Sequence, residues 1–332
     1  MHKIVNSLPQ VSEKRIALHI TRAAERAIRR GHPWLFENAI VKQSHQGKAG
    51  DLAVIFDKKR RFLAIGLYDP DSVIRVRVLH ALKPAIIDQA FFTKKLDAAH
   101  QRRAPLRDSD HTNGYRILHG ENDGMPGIVI DRYAETAVIK LYTSAWIPHL
   151  REMILALEKT FPAKSVILRL SKTLQENDFG LFDGVLLTVE KISPPIIFRE
   201  NGLIFEVDPL HGQKTGFFLD QRENRARVEA LAKGKRVLNV FAYTGGFSVY
   251  AARGGAKEVV SLDASSFATD AAKRNFALNF PEEAECHQSI TGDAFEEMSK
   301  MKKEGKRFEM VILDPPSFAH KKSQVEGALN AY

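Results

Sequence analysis

The sequence predicts an α/β fold in three parts: a small β-barrel-like module over residues 1–80, a central α+β segment over 81–194, and a Rossmann-like parallel sheet over 195–332. Three observations carry this. Short apolar runs crowd the first part around a single short helix signal. Ser193-Pro194-Pro195 marks a linker. From residue 236 onward strand and helix patterns alternate, which implies parallel strands joined by right-handed crossovers.

Composition narrows the class. With 332 residues, 44% of them hydrophobic, the chain has material for more than one core. It holds no apolar run of the roughly 18 residues that a membrane span needs. The opening stretch MHKIVNSLPQVSEKR is polar and lacks an apolar signal core, so a cytoplasmic protein is expected. The single cysteine, Cys286, excludes an internal disulfide and fits a reducing compartment. The 12 histidines are scattered without metal-ligand spacing, so no metal is expected. Net charge is +9, and it is concentrated: residues 1–80 hold 15 Lys and Arg against 7 Asp and Glu, a net +8. Such a module is either a grip for a polyanion or a merely soluble basic domain.

In the first part, Thr21 caps the helix pattern RAAERAIRR, and Gly31 closes it. Ala23, Ala24, Ala27 and Ile28 are expected to face inward, with Arg22, Arg26, Arg29 and Arg30 on the other side. Short strands follow in GHPWLFENAI, DLAVIFD, FLAIGLYD and VIRVRVL, the last with Arg75 and Arg77 on one face by alternation. In the central part, a helical stretch (85–103) precedes a polar loop. GIVIDRY and TAVIKLYT read as a hairpin, WIPHLREMILALEKTF as an amphipathic helix, and SVILRLS and VLLTVE as further strands. IIFRENGLIFEVD carries Asn201-Gly202 between apolar runs, a strong hairpin signal. Asp220 and Glu223 form a capping-box pattern for a helix that Gly234 closes. The last part then reads RVLNVFA, helix, EVVSLD, helix to about 279, ECHQSI, helix, FEMVILDPP.

The turn after the first of these strands, Tyr243-Thr244-Gly245-Gly246-Phe247, lacks the three spaced glycines that a pyrophosphate requires. A nucleoside without phosphates, S-adenosylmethionine, asks only for close backbone approach and amides for its carboxylate. Asp263 ends the second strand 18 residues after Gly245, where a carboxylate accepts from both ribose hydroxyls. The structural alternative for Asp263 is an N-cap for the following helix. Asp293 follows the third strand, within reach of an adenine amino group. Asp314 with Pro315 and Pro316 follows the fourth, and the two prolines there fix φ and remove two donors. The result is a stiff ledge that suits a flat base presented to a methyl donor.

These stretches, with HGQKTGFFLDQREN (211–224), LHGENDGMPGIVIDRY (118–133) and GHPWLF (31–36), resemble the PUA-domain-carrying 23S rRNA methyltransferases, and more narrowly their cytosine-5 branch. The resemblance runs from about residue 15 to the last residue. It implies an RNA-binding PUA module, a central domain and a class I methyltransferase domain using S-adenosylmethionine on ribosomal RNA. Tyr243 and Gly245 would line the methionine part, Asp263 the ribose, and Asp293 and Ala294 the adenine. Asp314 and Pro315 would border the transfer site. Lys214, Phe217, Gln221 and Arg222 lie in the segment that covers the pocket in this family, with Lys214 expected beside the chemistry and Arg222 on the cofactor carboxylate. Core packing is the alternative for Phe217 or Phe218, and a structural turn is the preferred reading of LHGENDGMPGIVIDRY. Arg22, Arg26, Arg29 and Arg30 would grip the RNA.

Cytosine C5 is not nucleophilic, and this branch uses a cysteine thiolate that adds to the ring. Cys286, just before the third strand, is expected as a small buried residue on the adenine side. Because the sequence stops soon after the fourth strand, a partial methyltransferase domain with an exposed sheet edge and impaired activity is expected. Guanine-N7 methylation, which needs no thiolate, is the alternative within the superfamily. A non-catalytic RNA-binding protein is the alternative outside it. The expected partner is 23S rRNA, with a homodimer left open.

Overall fold

Two compact units make up the computed structural model, Met1–Ile196 with Val207–Gly216, and Ile197–Glu206 with Phe217–Tyr332. The structure describes residues 8–176, 180–188 and 192–316.

In the first unit, β1 (Ile16–Ile20) leads through Thr21 into α1 (Arg22–Arg29). The Thr21 hydroxyl accepts the Ala24 N–H at 3.4 Å, and Gly31, at φ +90°, ends the helix as expected. Ile28 is buried, but Ala23 is exposed, because it lies well off the stripe that Ala24 and Ile28 share on so short a helix. Strands β2 (Trp34–Phe36), β3 (Ile40–Gln43), β4 (Leu52–Phe56), β5 (Phe62–Tyr68) and β6 (Ile74–Ala81) complete a six-stranded sheet in the order β2-β6-β5-β4-β1-β3. Only β1 and β4 run parallel in it. Both arginines of β6 are engaged within the unit. Arg77 is buried beside Asp69 at 3.5 Å, and Arg75 pairs with Glu37.

The second sheet of this unit is built from β7 (Gly114–His119), β8 (Ile128–Tyr133), β9 (Thr136–Leu141), β10 (Ser165–Leu170) and β11 (Val185–Leu186), in the order β11-β10-β9-β8-β7. The expected hairpin is β8 and β9. Helices α2 (Gln89–Arg102) and α3 (Leu150–Thr160) pack here, Asp88 capping the first through the Phe91 N–H at 2.8 Å. A 3-10 turn over Ser144–His149, which accommodates Pro148, precedes α3, so the helix proper starts later than its apolar pattern suggests. The strand expected over 185–190 is seen as β11, and residues 189–190 lie outside the described residues. Leu52, Ile65 and Leu79 of the first sheet share one apolar core with Phe92, Leu118 and Trp146.

In the second unit the hairpin of β12 (Ile196–Glu200) and β13 (Leu203–Val207) turns at Asn201 and Gly202, with φ +51° and +84°, the left-handed pair that this dipeptide favours. Helix α4 (Arg222–Leu231) begins after a 3-10 turn at Leu219–Gln221, with Gln221 at its N-cap and no side-chain cap bond. The capping box expected of Asp220 and Glu223 is therefore absent: the 3-10 turn moves the helix start two residues past Asp220. Parallel strands β14 (Arg236–Val240), β15 (Glu258–Asp263), β16 (His287–Thr291) and β17 (Met310–Leu313) order as β16-β15-β14-β17, with α5 (Gly246–Arg253), α6 (Ser266–Asn279) and α7 (Ala294–Lys303) between them. Strand order reverses between β14 and β17. Among the described residues β17 pairs with β14 alone, and its Val311 and Leu313 are exposed.

Candidate active site

The carboxyl ends of β14, β15, β16 and β17 bring Tyr243, Gly245, Asp263, Asp293, Ala294, Asp314 and Pro315 to one end of the sheet, where ligands of such folds bind beside the order reversal. The first loop is wound tightly. Phe241, Tyr243 and Gly245 all have positive φ, at +59°, +48° and +75°. Two non-glycine residues in that region store backbone strain of the kind found at ligand sites. The loop is tied down by Tyr243 N–H to Asp263 Oδ2 (2.8 Å), Ala242 N–H to the Leu262 carbonyl (3.0 Å), and Asn275 Nδ2 to the Thr244 carbonyl (2.9 Å). Gly245 answers two demands at once. Its φ is left-handed, and a Cβ there would lie 2.8 Å from the Ala272 Cβ of α6. Gly246 packs over Arg225 and Phe217, where a Cβ would sit 3.2 and 3.3 Å from side-chain atoms. The glycine pair therefore seats the loop on its own scaffold, which a side chain at either position would crowd.

Asp263 accepts the Ser265 N–H (3.0 Å) as well as that of Tyr243, while Ser265 itself caps α6 through the Ala268 N–H. The N-cap alternative for Asp263 is thus taken by Ser265. Asp293 caps α7, its Oδ1 accepting from Phe295 at 2.9 Å and Glu296 at 3.1 Å, and Ala294 is buried beneath it. Asp314 is exposed and Pro315 half-buried at the end of β17, while Ser317 and Phe318 of the ledge motif lie outside the described residues.

A buried charge cluster underlies α4. Glu200, fully buried, receives Arg225 Nε and Nη2 at 2.8 Å each, and the Tyr250 hydroxyl at 3.0 Å. Burial first, and then the Glu200 charge, raise the Tyr250 pKa far above that of free tyrosine, so it stays a neutral donor. Arg222 lies 3.5 Å from the same carboxylate, yet its buried Nε has no hydrogen-bond partner. The Thr244 Oγ1 is buried and without a partner too. A bound water or a polar ligand would satisfy each of these two atoms.

Other expected residues fall differently. Phe217 is 2% exposed, its ring 5.1 Å from those of both Phe198 and Phe205 and under the Arg225 guanidinium at 4.7 Å. It is a core residue, correcting the expectation of cofactor contact; half-buried Phe218, whose ring meets Tyr243 at 5.2 Å, is the aromatic nearer the loop. Gln221 receives Asn224 Nδ2 at 2.6 Å. Lys214 belongs to the first unit, exposed at φ +55°. Its loop is anchored within that unit: Lys140 Nζ donates to the Lys214 carbonyl (2.9 Å), Thr215 Oγ1 to Asp131 Oδ2 (2.6 Å), and Arg169 to the carbonyls of Pro209 and Gly212. Asp131 also takes Arg116 bidentately. Asp131 was open to sequence reasoning, as the lone carboxylate inside the apolar run GIVIDRY.

Cys286 sits at the amino end of β16 and is exposed, not buried. That end is opposite the loops, about 16 Å along a five-residue strand, so Cys286 is not on the adenine side either. Of the four arginines expected at the RNA face, Arg29 is spent on Glu25 (3.0 Å) and the buried Asp57 (3.2 Å). Arg22, Arg26 and Arg30 are exposed, with no ion pair among the described residues. Unforeseen was a polar row through the sheet: Asn239 Nδ2 to Ser248 Oγ (3.0 Å), on to Ser261 Oγ (2.6 Å) and His287 Nε2 (2.8 Å).

The chain is similar to proteins of known class. Residues 188–327 match the family model of S-adenosylmethionine-dependent methyltransferases, and residues 18–81 that of a PUA-like domain. A Deinococcus radiodurans protein named ribosomal RNA large subunit methyltransferase is 51% identical over 98% of this chain and 81% of its own length. One from Tolumonas auensis, named ribosomal RNA large subunit methyltransferase I, is 38% identical over 95% and 79%. A solved Streptococcus mutans structure, described as a SAM-dependent methyltransferase, superimposes with a TM-score of 0.79 at 23% identity, covering 91% of this chain and 77% of its own. Another, a methyltransferase complexed with SAH, gives 0.76 at 24% over 93% and 77%. At these identities the two structures speak for the fold.

Proposed function

The chain belongs to the ribosomal RNA large subunit methyltransferase family, S-adenosylmethionine-dependent enzymes, and we propose that it methylates a base of 23S rRNA, cytosine C5 by first reading. The observation that carries this is the meeting of the strained Gly245 loop, Asp263, Asp293 and the Asp314-Pro315 ledge at the carboxyl ends of a sheet whose order reverses between β14 and β17.

The residues present fit the cofactor. Thr244 Oγ1 and Arg222 Nε are orphaned and buried, and the second is a guanidinium suited to a carboxylate. Asp263 would accept from the ribose, Asp293 and the backbone at Ala294 would hold the adenine edge, and Tyr243 and Gly245 would line the methionine part. Bound S-adenosylmethionine supplies an electrophilic methyl group. Asp314 and Pro315 offer the target base an acceptor and a rigid edge. Residues 1–80 would grip RNA, 81–194 form a central domain, and 195–332 carry the methyltransferase site; action on ribosomal RNA implies the cytoplasm.

Motif order supports cytosine C5. Guanine N7, whose methylation needs no thiolate, is the alternative target. The test is labelled methyl transfer to unmodified 23S rRNA followed by nucleoside digestion. 5-Methylcytidine supports the first reading and 7-methylguanosine the second. A calorimetric titration with no S-adenosylmethionine heat would point instead to an RNA-binding protein without catalysis.

A further inference from the structure

The GHPWLF stretch takes no part in the site just described, yet it gathers three partly accessible rings on the first unit. His32, Trp34 and Phe36 alternate with Pro33 and Leu35, so strand periodicity sends all three to one face and buries Leu35 on the other. Their ring centroids lie 5.8 Å (His32 to Trp34), 6.3 Å (Trp34 to Phe36) and 6.2 Å (His32 to Phe36) apart. His32 is exposed and the other two are half-buried. Among the described residues β2 is an edge strand, paired with β6 alone.

The cluster is held rigidly. His32 Nδ1 lies 3.0 Å from the Trp34 carbonyl oxygen and 3.2 Å from its backbone nitrogen, which fixes the imidazole. Trp34 Nε1 donates to Glu121 Oε1 at 3.0 Å, fixing the indole. Aromatic rings left accessible and immobilised lose little entropy on binding a flat partner. Cations lie on the adjoining helix: the His32 backbone N–H donates to the Ala27 carbonyl of α1 (3.0 Å), which carries Arg22, Arg26 and Arg30, none of them in an ion pair among the described residues, while Glu121 and Glu37 are the carboxylates beside the rings.

We propose that His32, Trp34 and Phe36 form a stacking platform for unpaired RNA bases, with α1 holding the adjoining phosphates. RNA as the partner class rests on the functional reading above. Rings take bases and arginines take phosphates, the pairing of groups by which proteins hold single strands.

The test uses the full chain and a fluorescein-labelled single-stranded oligoribonucleotide of about twelve nucleotides, with affinity read by anisotropy. Trp34→Ala should weaken binding roughly tenfold or more, while the slope of log affinity against log salt stays unchanged. Trp34→Phe, which keeps a ring and loses the Glu121 bond, should retain most of the affinity. His32→Ala, at an exposed position, should weaken binding without altering the melting temperature. Wild-type tryptophan emission should be quenched on binding, and that signal belongs to Trp34 because Trp146 is fully buried. Unchanged affinity in both alanine variants overturns the platform, as does equal quenching by a duplex of the same length. So does a Trp34→Ala variant that changes only its sedimentation coefficient, which would assign the face to a second copy. Because no cofactor or 23S rRNA is present, a failed methyl-transfer assay would count against the functional reading and leave this result standing.

Discussion

The backbone N–H of Tyr243 donates to Oδ2 of Asp263 at 2.8 Å, tying the first loop of the methyltransferase unit to the end of the neighbouring strand. Tyr243 is held at φ +48°, a conformation that costs on the order of 1 kcal/mol or more. A charge-assisted bond from Asp263 offsets part of that cost. One carboxylate therefore shapes the loop and is also the group we propose for the ribose.

These two roles separate by substitution. Asp263→Asn keeps an oxygen for the Tyr243 N–H but loses the charge, so the fold should persist while S-adenosylmethionine binds at least about tenfold more weakly. Asp263→Ala should lose both, adding a fall in melting temperature. Calorimetric titration beside thermal melting reads the pair. An Asn variant that binds as tightly as wild type would remove the ribose assignment.

Gly245→Ala should destabilise the second unit by about 1–3 kcal/mol, through the φ of +75° and the 2.8 Å approach to the Ala272 Cβ. Adding Ala272→Gly relieves the contact but not the dihedral, so it should restore only part of the loss. Denaturant midpoints measure this, and full restoration would show that the left-handed φ is without cost here.

What could be read in advance follows from how local each signal is. Alternation and turn chemistry placed the four parallel strands, the Asn201-Gly202 hairpin and the Thr21 cap, all fixed by neighbours within a few residues. The surroundings of Phe217, Arg29 and Arg77 were not legible because they come from afar: Phe198 and Phe205 enclose the first, Asp57 holds the second, Asp69 the third. Composition shows that such side chains exist, but only the fold chooses their partners. Gly245 shows a middle case. A glycine was expected for the ligand, whereas its left-handed φ and the approach of Ala272 already require one.

His287 gives a pH dependence. It stacks on Phe276 at 4.4 Å and lies 2.8 Å from Ser261 Oγ, and burial, with Lys273 adding to it, lowers its pKa from 6.5 to about 4. Between those values the unfolded chain binds a proton that the folded one refuses, so stability falls as pH drops through this window and is flat above it. His287→Asn should lessen the loss of melting temperature between pH 7 and 4.5. Equal losses in both proteins would mean that the imidazole is protonated in the fold.

Cys286 should be readily alkylated, being exposed at the amino end of β16. Modification by iodoacetamide, or Cys286→Ser, should leave S-adenosylmethionine affinity unchanged, because the loops proposed to hold the cofactor lie at the other end of the sheet. A large fall in calorimetric affinity on alkylation would contradict that placement.

The arginines of α1 are expected to act unequally. Arg22, Arg26 and Arg30 are exposed and unpaired among the described residues, whereas Arg29 binds Glu25 and Asp57. Each phosphate neutralised on a single strand releases counterions, contributing about 0.7 to the slope of log affinity against log salt. Replacing Arg22, Arg26 and Arg30 together by Gln should therefore flatten that slope by roughly 2 if all three meet phosphate. Arg29→Gln should leave the slope unchanged and lower the melting temperature instead, since it leaves the buried Asp57 with one partner fewer, although Arg61 still reaches that carboxylate at 2.9 Å. Titrations of 23S rRNA fragments at several salt concentrations decide it. An Arg29 effect on the slope as large as that of any other single arginine would show that its ion pairs open on binding RNA, and the whole face would then act together.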